Sequence, residues 1–323
     1  MPLTFDLPLE KLREYRGVNP KPANFDAYWD AALTEMNAQD PQVEIIPDET
    51  FQLPGISCSH LWFTGVGDAR IHARLLQPRY FSGTHPAALR FHGYSANSGD
   101  WTLGEVLALA ASGFTVAALD CRGQGGLSED AGGVKGTTMH GHIVRGLDDS
   151  PEKLLFRSIF LDTVQLAKIV MNMDDVDENR VGTLGGSQGG ALALVCAALE
   201  PRIKKTALMF PFLSDYLRVW QMDQAKDAYA ELKDFFRRHD PQHERQDEIF
   251  ERLGYIDIQH LMPRVEAEVM MATGLMDTAC PPETQFAAYN KITTQKSLEI
   301  YPDYGHENLP GFWDKACMFM LGL

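Results

Sequence analysis

The sequence predicts an α/β fold, a mainly parallel sheet with helices on both faces and a helical insertion. Three observations predict it. Short apolar runs of strand length alternate with helix-length amphipathic runs along most of the chain. The run Phe114 to Leu119 reads as a buried strand, as expected of a sheet covered on both faces. Six residues, Gly185-Gly186-Ser187-Gln188-Gly189-Gly190, join one such run, Arg180 to Leu184, directly to the helix-like run Ala191 to Leu199, which Pro201 closes.

The elements follow in order. Residues 1–21 read as an extended arm bounded by Pro20 and Pro22. Phe25, Trp29, Leu33 and Met36 then recur at helical spacing and mark one apolar face. Residues 56–64 and 69–77 alternate as a hairpin around Gly65-Val66-Gly67-Asp68. Ala87 to Phe91 is a central strand ending in His92-Gly93-Tyr94, Glu105 to Ala111 a short helix, and Phe114 to Leu119 a buried strand ending in Asp120-Cys121-Arg122-Gly123-Gln124. Residues 125–150 are glycine-rich and irregular, and loops of that length tend to be functional or interfacial. Ser150-Pro151-Glu152 supplies a cap, a proline at the first position and an acid in the first turn of a helix running to about Met173.

Residues 213–262 are charged, aromatic and mostly helical, and Trp220, Tyr229, Leu232, Phe235 and Phe236 give them an apolar face. They read as a lid or cap sealed by its own small core. A strand over Ala267 to Ala272, a helix over Glu283 to Asn290, a strand over Ser297 to Tyr301 and a helix over 311–321 complete the pattern. The expectation is one domain over residues 1–323, carrying the 125–150 loop and the 213–262 helical insertion. Ligands of such sheets bind beyond the carboxyl ends of the strands.

Composition excludes several function classes. The chain has 323 residues, 45% hydrophobic and 23% charged, enough for a large core. Its formal net charge is −15, without Lys/Arg clusters, which argues against nucleic acid and against an anionic membrane surface as partners. The five cysteines are widely spaced with no C-x-x-C, which suggests reduced thiols and a cytoplasmic protein. The N-terminal residues show no signal-peptide pattern, and no apolar run reaches the length of about 18 residues that a membrane span needs.

Strand, G-x-S-x-G and helix in succession is the context of a nucleophile elbow, the serine turn of α/β-hydrolase folds. The turn is so tight that Gly185 and Gly189, two before and two after Ser187, must lack a Cβ. A plain glycine-rich turn is the alternative; a phosphate loop does not fit, because the Lys-Ser/Thr ending is absent. A serine hydroxyl needs a base, and the base an orienting acid, in the order Ser, Asp/Glu, His.

Four histidines follow Ser187: His239, His243, His260 and His306. Only His306 sits in a loop just after the last strand, where the base belongs. Pro241 breaks the His239/His243 spacing, so no metal site is expected. Asp277, in the loop after the 267–272 strand, is the candidate acid, with Asp303 the rival. Two N–H groups should hold the oxyanion, those of Gln188 and Tyr94. Arg122, Gln124 and Glu307 read as supports that fix loops near the site by hydrogen bonds.

Several stretches together resemble the cephalosporin-C deacetylase / acetyl xylan esterase family, carbohydrate esterase family 7. They are Arg122-Gly123-Gln124, the Gly185–Gly190 elbow and His306-Glu307, with His92-Gly93-Tyr94, Gly141 to Gly146, Gly274 to Thr278 and Cys280-Pro281-Pro282 in support. The arm residues Leu9, Tyr15, Asn19 and Pro20 and the Phe25–Trp29 helix are also similar, so the likeness covers nearly the whole chain. The resemblance implies an α/β-hydrolase fold and a cofactor-free serine esterase with Ser187 as nucleophile, His306 as base and Asp277 as its orienter. It implies small acetylated substrates, such as acetylated xylo-oligosaccharides and cephalosporin C, and a homohexamer with sites facing an internal cavity. A peptidase or an esterase for other small esters on the same fold is the alternative, and a non-catalytic binding protein on a hydrolase scaffold is a third.

Overall fold

A computed structural model describes residues 5–81, 83–131 and 136–323. The first four residues of the arm, and residues 132–135 of the 125–150 loop, lie outside the described residues. The strands are Glu44–Pro47 (β1), Ile56–Gly65 (β2), Ala69–Pro78 (β3), His85–Phe91 (β4), Thr115–Leu119 (β5), Val176–Gly186 (β6), Lys205–Met209 (β7), Glu268–Gly274 (β8) and Lys296–Tyr301 (β9). They form one sheet in the order β1-β2-β3-β5-β4-β6-β7-β8-β9. Pairings from β1 through β3 to β5 are antiparallel, and all those from β5 to β9 are parallel.

The helices are Leu9–Leu12 (α1), Phe25–Ala38 (α2), Gly104–Ala111 (α3), Leu155–Met171 (α4), Gln188–Leu199 (α5), Tyr216–Gln221 (α6), Ala230–His239 (α7), Gln246–Leu253 (α8), Pro282–Tyr289 (α9) and Phe312–Met320 (α10). Side chains along each strand alternate between two cores. Leu89, Val181, Leu208 and Met271 join α2, α4 and α5 on one face. Ala88, Leu184, Ala207 and Ala272 join α3 and α10 on the other. Every residue of α5 is buried, which explains why Gln188–Leu199 carries no polar stripe.

The structure departs from the sequence expectations at four places. Strands β1 and β7 have no strong signal, since β1 is four exposed residues and β7 five residues opening on a lysine. The arm holds one helical turn, α1, whose Leu12 packs with Leu275 and Phe286. Ser150 opens only a 3₁₀ turn, Pro151–Lys153. Leu154 is extended (φ −60°, ψ 125°) and fully buried, and α4 starts after it. The break lets the Leu155 N–H bond the Arg145 carbonyl at 3.1 Å, a tertiary contact that outweighs helix continuation. Finally, Tyr229, Leu232, Phe235 and Phe236 belong to the same buried cluster as α4 and α5, so the helical insertion shares the main core rather than closing on its own.

Among its described residues the 125–150 loop has no helix or strand. Buried polar anchors hold it instead. Asp120 accepts from the Ser98 N–H (2.6 Å), the Leu127 N–H (2.9 Å) and His72 Nδ1 (2.7 Å), so it ties together the loops after β4 and β5. Arg122, 2% exposed, gives Nε and Nη2 to Asp162 at 2.8 and 2.6 Å and Nη1 to the Val66 carbonyl at 3.0 Å. Among the described residues no helix is long and apolar enough to cross a membrane.

Both anchors give measurable consequences. Burial pushes the Asp162 carboxyl up against the pull of Arg122, so removing the guanidinium strands a buried acid. Arg122→Ala should cost about 3–5 kcal/mol in urea unfolding, and Arg122→Ala/Asp162→Ala should recover part of it. A loss within experimental error would remove the anchor role. For Asp120, burial opposes the charge, but the bonds from His72, Leu127 and Ser98 outweigh it and hold the carboxyl well below its usual range. A lowered folded value means that this carboxylate contributes stability above the unfolded value of about 4 and loses it as pH falls further. Unfolding free energy should therefore drop as pH is lowered below about 4, and Asp120→Asn should flatten that slope by up to about one proton.

Candidate active site

Ser187 stands between β6 and α5 at φ 57°, ψ −121°, a conformation that costs an L-residue strain. Three backbone bonds impose it. The Ser187 N–H donates to Met209 O at 3.1 Å, and its carbonyl accepts from Ala191 and Phe212 at 3.0 and 3.1 Å. The glycine requirement is steric. A Cβ on Gly185 would lie 2.3 Å from the Gly189 carbonyl oxygen, and one on Gly189 would lie 2.0 Å from that of Phe91. The turn therefore has backbone packed on backbone, with β4 directly beneath it.

His306, in the loop after β9, places Nε2 3.0 Å from Ser187 Oγ. Its Nδ1 lies 2.9 Å from Asp277 Oδ2, in the loop after β8. Asp277 is fully buried, and its other oxygen accepts the Ala279 and Cys280 N–H groups at 2.9 and 2.8 Å. A carboxylate only accepts, so the proton belongs on Nδ1, and Nε2 is left free to accept from the serine hydroxyl. The Phe210 ring packs on the imidazole at 4.4 Å.

The remaining candidates lie elsewhere. Asp303 is exposed. His239 packs on Phe235, His243 on Trp220 and Phe236, and His260 meets the Pro20 carbonyl at 3.2 Å. Burial pushes His260 down to about 3.

Gln188 opens α5 and Tyr94 lies in the turn after β4; neither backbone N–H has an acceptor among the described residues. Gln124 joins the two segments. Its amide pairs reciprocally with that of Gln188 at 3.0 Å in each direction, and its Oε1 also accepts the Ser95 N–H at 3.0 Å. His92 steadies the same turn, accepting the Cys121 N–H on Nε2 at 3.0 Å and facing the Gly93 carbonyl with Nδ1 at 2.7 Å. Burial pushes His92 down to about 4 and keeps it neutral. Glu307 accepts the Gly305 N–H at 3.1 Å and so caps the His306 loop. Arg122 points to Asp162 rather than to Ser187.

A cavity of about 560 Å³ opens over Ser187 and His306, walled by Tyr94, Phe212, Ala228, Thr278, Ala279 and Cys280, with the exposed Asp227 also lining it. Phe210 and Phe212 follow β7, and no motif marks them; the apolar run Ala207 to Met209 is the signal that leads to them. Asp277, Cys280 and His306 are close enough to share an ion. Their chemistry does not suit one. The Asp277–His306 bond already uses Nδ1, and burial, then the Asp277 charge, push the Cys280 thiol well above its usual value, against the thiolate a metal needs.

These features can be set beside known proteins. The acetyl xylan esterase (AXE1) family model matches residues 1–323. Acetyl xylan esterase 1 from Thermoanaerobacterium sp. JW/SL YS485 is 57% identical, with a TM-score of 0.94 over 98% of this chain and 99% of that one. The acetyl xylan esterase from Paenibacillus sp. R4 is 32% identical, with a TM-score of 0.91 over the same shares. The acetyl esterase Axe7A of Xylanibacter ruminicola is 26% identical over 292 residues, which are 88% of this chain and 63% of that protein, so the chain spans under two thirds of this curated relative. The fold is that of the α/β-hydrolases, and the chain belongs to the acetyl xylan esterase family.

Proposed function

We propose that this protein is a serine acetylesterase that removes acetyl groups from small substrates, with acetylated xylo-oligosaccharides and cephalosporin C as test cases. The observation that carries the reading is the hydrogen-bonded series Ser187–His306–Asp277, whose first two members line a cavity of about 560 Å³. Ser187 Oγ attacks the acetyl carbonyl while His306 Nε2 takes its proton. Asp277 keeps the imidazole in the required tautomer and stabilises the imidazolium. The Gln188 and Tyr94 N–H groups receive the oxyanion. His306 then protonates the departing alcohol, and water repeats the sequence on the acetyl-enzyme, releasing acetate.

The preference for short acyl groups is part of the proposal through the family resemblance. A reducing, cytoplasmic setting is supported by five cysteines that are all free. A homohexamer is part of the proposal through the family resemblance. The exposed Val43, Ile45 and Ile46 at and beside the edge strand β1 give it an apolar surface to bury. Sedimentation velocity of the purified protein tests it; a monomer would remove it.

Acetate release from acetylated xylo-oligosaccharides and cephalosporin C tests the activity, with acetyl to octanoyl p-nitrophenyl esters alongside. Turnover should fall steeply with acyl length. Ser187→Ala should bring kcat down by about a millionfold, to near background. Asp277→Asn should cost about ten thousandfold with the fold intact. Serine-independent acetate release, or a preference for long acyl chains or aminoacyl nitroanilides, would overturn the reading.

A further inference from the structure

Glu231 is the second residue of α7 and is buried, 6% exposed, an unusual place for an acid. All of its partners lie on other segments. One carboxylate oxygen accepts the Tyr94 hydroxyl. The other accepts the Ile143 and Val144 N–H groups at 2.8 and 3.0 Å. The Tyr94 hydroxyl in turn accepts the His142 N–H at 3.3 Å, and its ring packs edge-on against His142 and Phe212. A single carboxylate thus joins the insertion helix, the 141–144 segment and the turn after β4.

We propose that Glu231 is a positioning residue for the site: through the Tyr94 hydroxyl it sets where the Tyr94 N–H points, so the helical insertion governs how well the oxyanion is held. The inference rests on the reading of that N–H as an oxyanion donor. Two anchors bracket the donor. Gln124 fixes the backbone on one side through Ser95 N–H, and Glu231 fixes the side chain on the other. An oxyanion donor is effective only within a few tenths of an ångström of its ideal distance, and a misplacement of about 1 Å costs about a hundredfold. Burial pushes the Glu231 carboxyl up, and the bonds from Tyr94, Val144, Ile143 and Gly141 oppose this.

The amide in Glu231→Gln removes the charge and reverses the link: with its oxygen on the Ile143 and Val144 N–H groups, its NH₂ donates to the Tyr94 oxygen, and the hydroxyl proton loses its acceptor. Tyr94→Phe removes the same link from the other end. Asp240, at the C-terminal end of α7, accepts the Glu244 and Arg245 N–H groups at 2.9 Å and has no bond to Tyr94, so Asp240→Asn loosens the insertion without touching the link.

The test is kcat and KM for p-nitrophenyl acetate in Glu231→Gln, Tyr94→Phe, their double variant and Asp240→Asn, each shown to be folded by near-UV circular dichroism. Expected are kcat losses of about tenfold or more in each single variant of the link, with KM within about twofold. The double variant should be no worse than the poorer single, because one interaction is lost in both, and Asp240→Asn should keep kcat. The proposal fails if folded Glu231→Gln keeps kcat within about twofold of the parent, or if Asp240→Asn loses as much. If the parent shows no Ser187-dependent turnover, the acetylesterase reading fails on its own. The link is then read from the rate at which a fluorophosphonate labels Ser187. A rate in Glu231→Gln lower by the same factor supports the link, and an equal rate overturns it.

Discussion

Backbone contact at the elbow is the constraint on which the rest of the site depends. β4, β6 and the start of α5 meet with no side chain between them, because the carbonyls of Phe91 and Gly189 occupy the space a Cβ would need. That contact holds Ser187 in a strained conformation and aims the first turn of α5 over the carboxyl ends of the strands. Parallel pairing does the rest. β4, β6, β8 and β9 all run the same way, so the residues that follow them, Tyr94, Ser187, Asp277 and His306, come out along one edge of the sheet.

The edge sets the positions, and buried polar groups set the angles. Asp120, Arg122 and Gln124 lie within five residues after β5, and each holds a different segment. Asp120 takes the loop after β4 and its own loop, Arg122 takes α4 and the turn between β2 and β3, and Gln124 takes the Gln188 side chain and the backbone of Ser95, the neighbour of Tyr94. None needs to touch a substrate. In the Arg-Gly-Gln motif the guanidinium is satisfied by a carboxylate and a carbonyl, with no donor aimed at Ser187.

Local chemistry explains what was legible in the sequence. The elbow, the ends of β4 and β5 and the His306 loop carry glycines, histidines or acids at strand ends, and each residue's place there follows from its own chain neighbours. The fold class was legible for the same reason, since long apolar runs and helix periodicity are local. β7 escapes because five residues starting at Lys205 carry too little pattern, and β1 because all four of its residues face solvent. The break at Leu154 depends on a carbonyl in the irregular stretch before it, that of Arg145, and the merging of the insertion with the main core depends on α4 and α5, farther off along the chain. Glu231 is one of 44 acids in the sequence, and only its burial against Tyr94 sets it apart.

Charge gives the site a direction as well as a shape. The proposed substrates enter as neutral acetyl groups, and each turnover ends with an acetate anion inside a protein of formal charge −15. The field of the whole molecule acts weakly on the first and repels the second, with the exposed Asp227 among the cavity-lining residues adding to it locally. The donors proposed for the oxyanion are two neutral backbone amides, while His306, with its proton on the Asp277 side, faces Ser187 as an acceptor. Such donors hold a transient oxyanion through geometry without a resident positive charge that would retain the product. Among the described residues no arginine lines the cavity, so none of them offers acetate a guanidinium there.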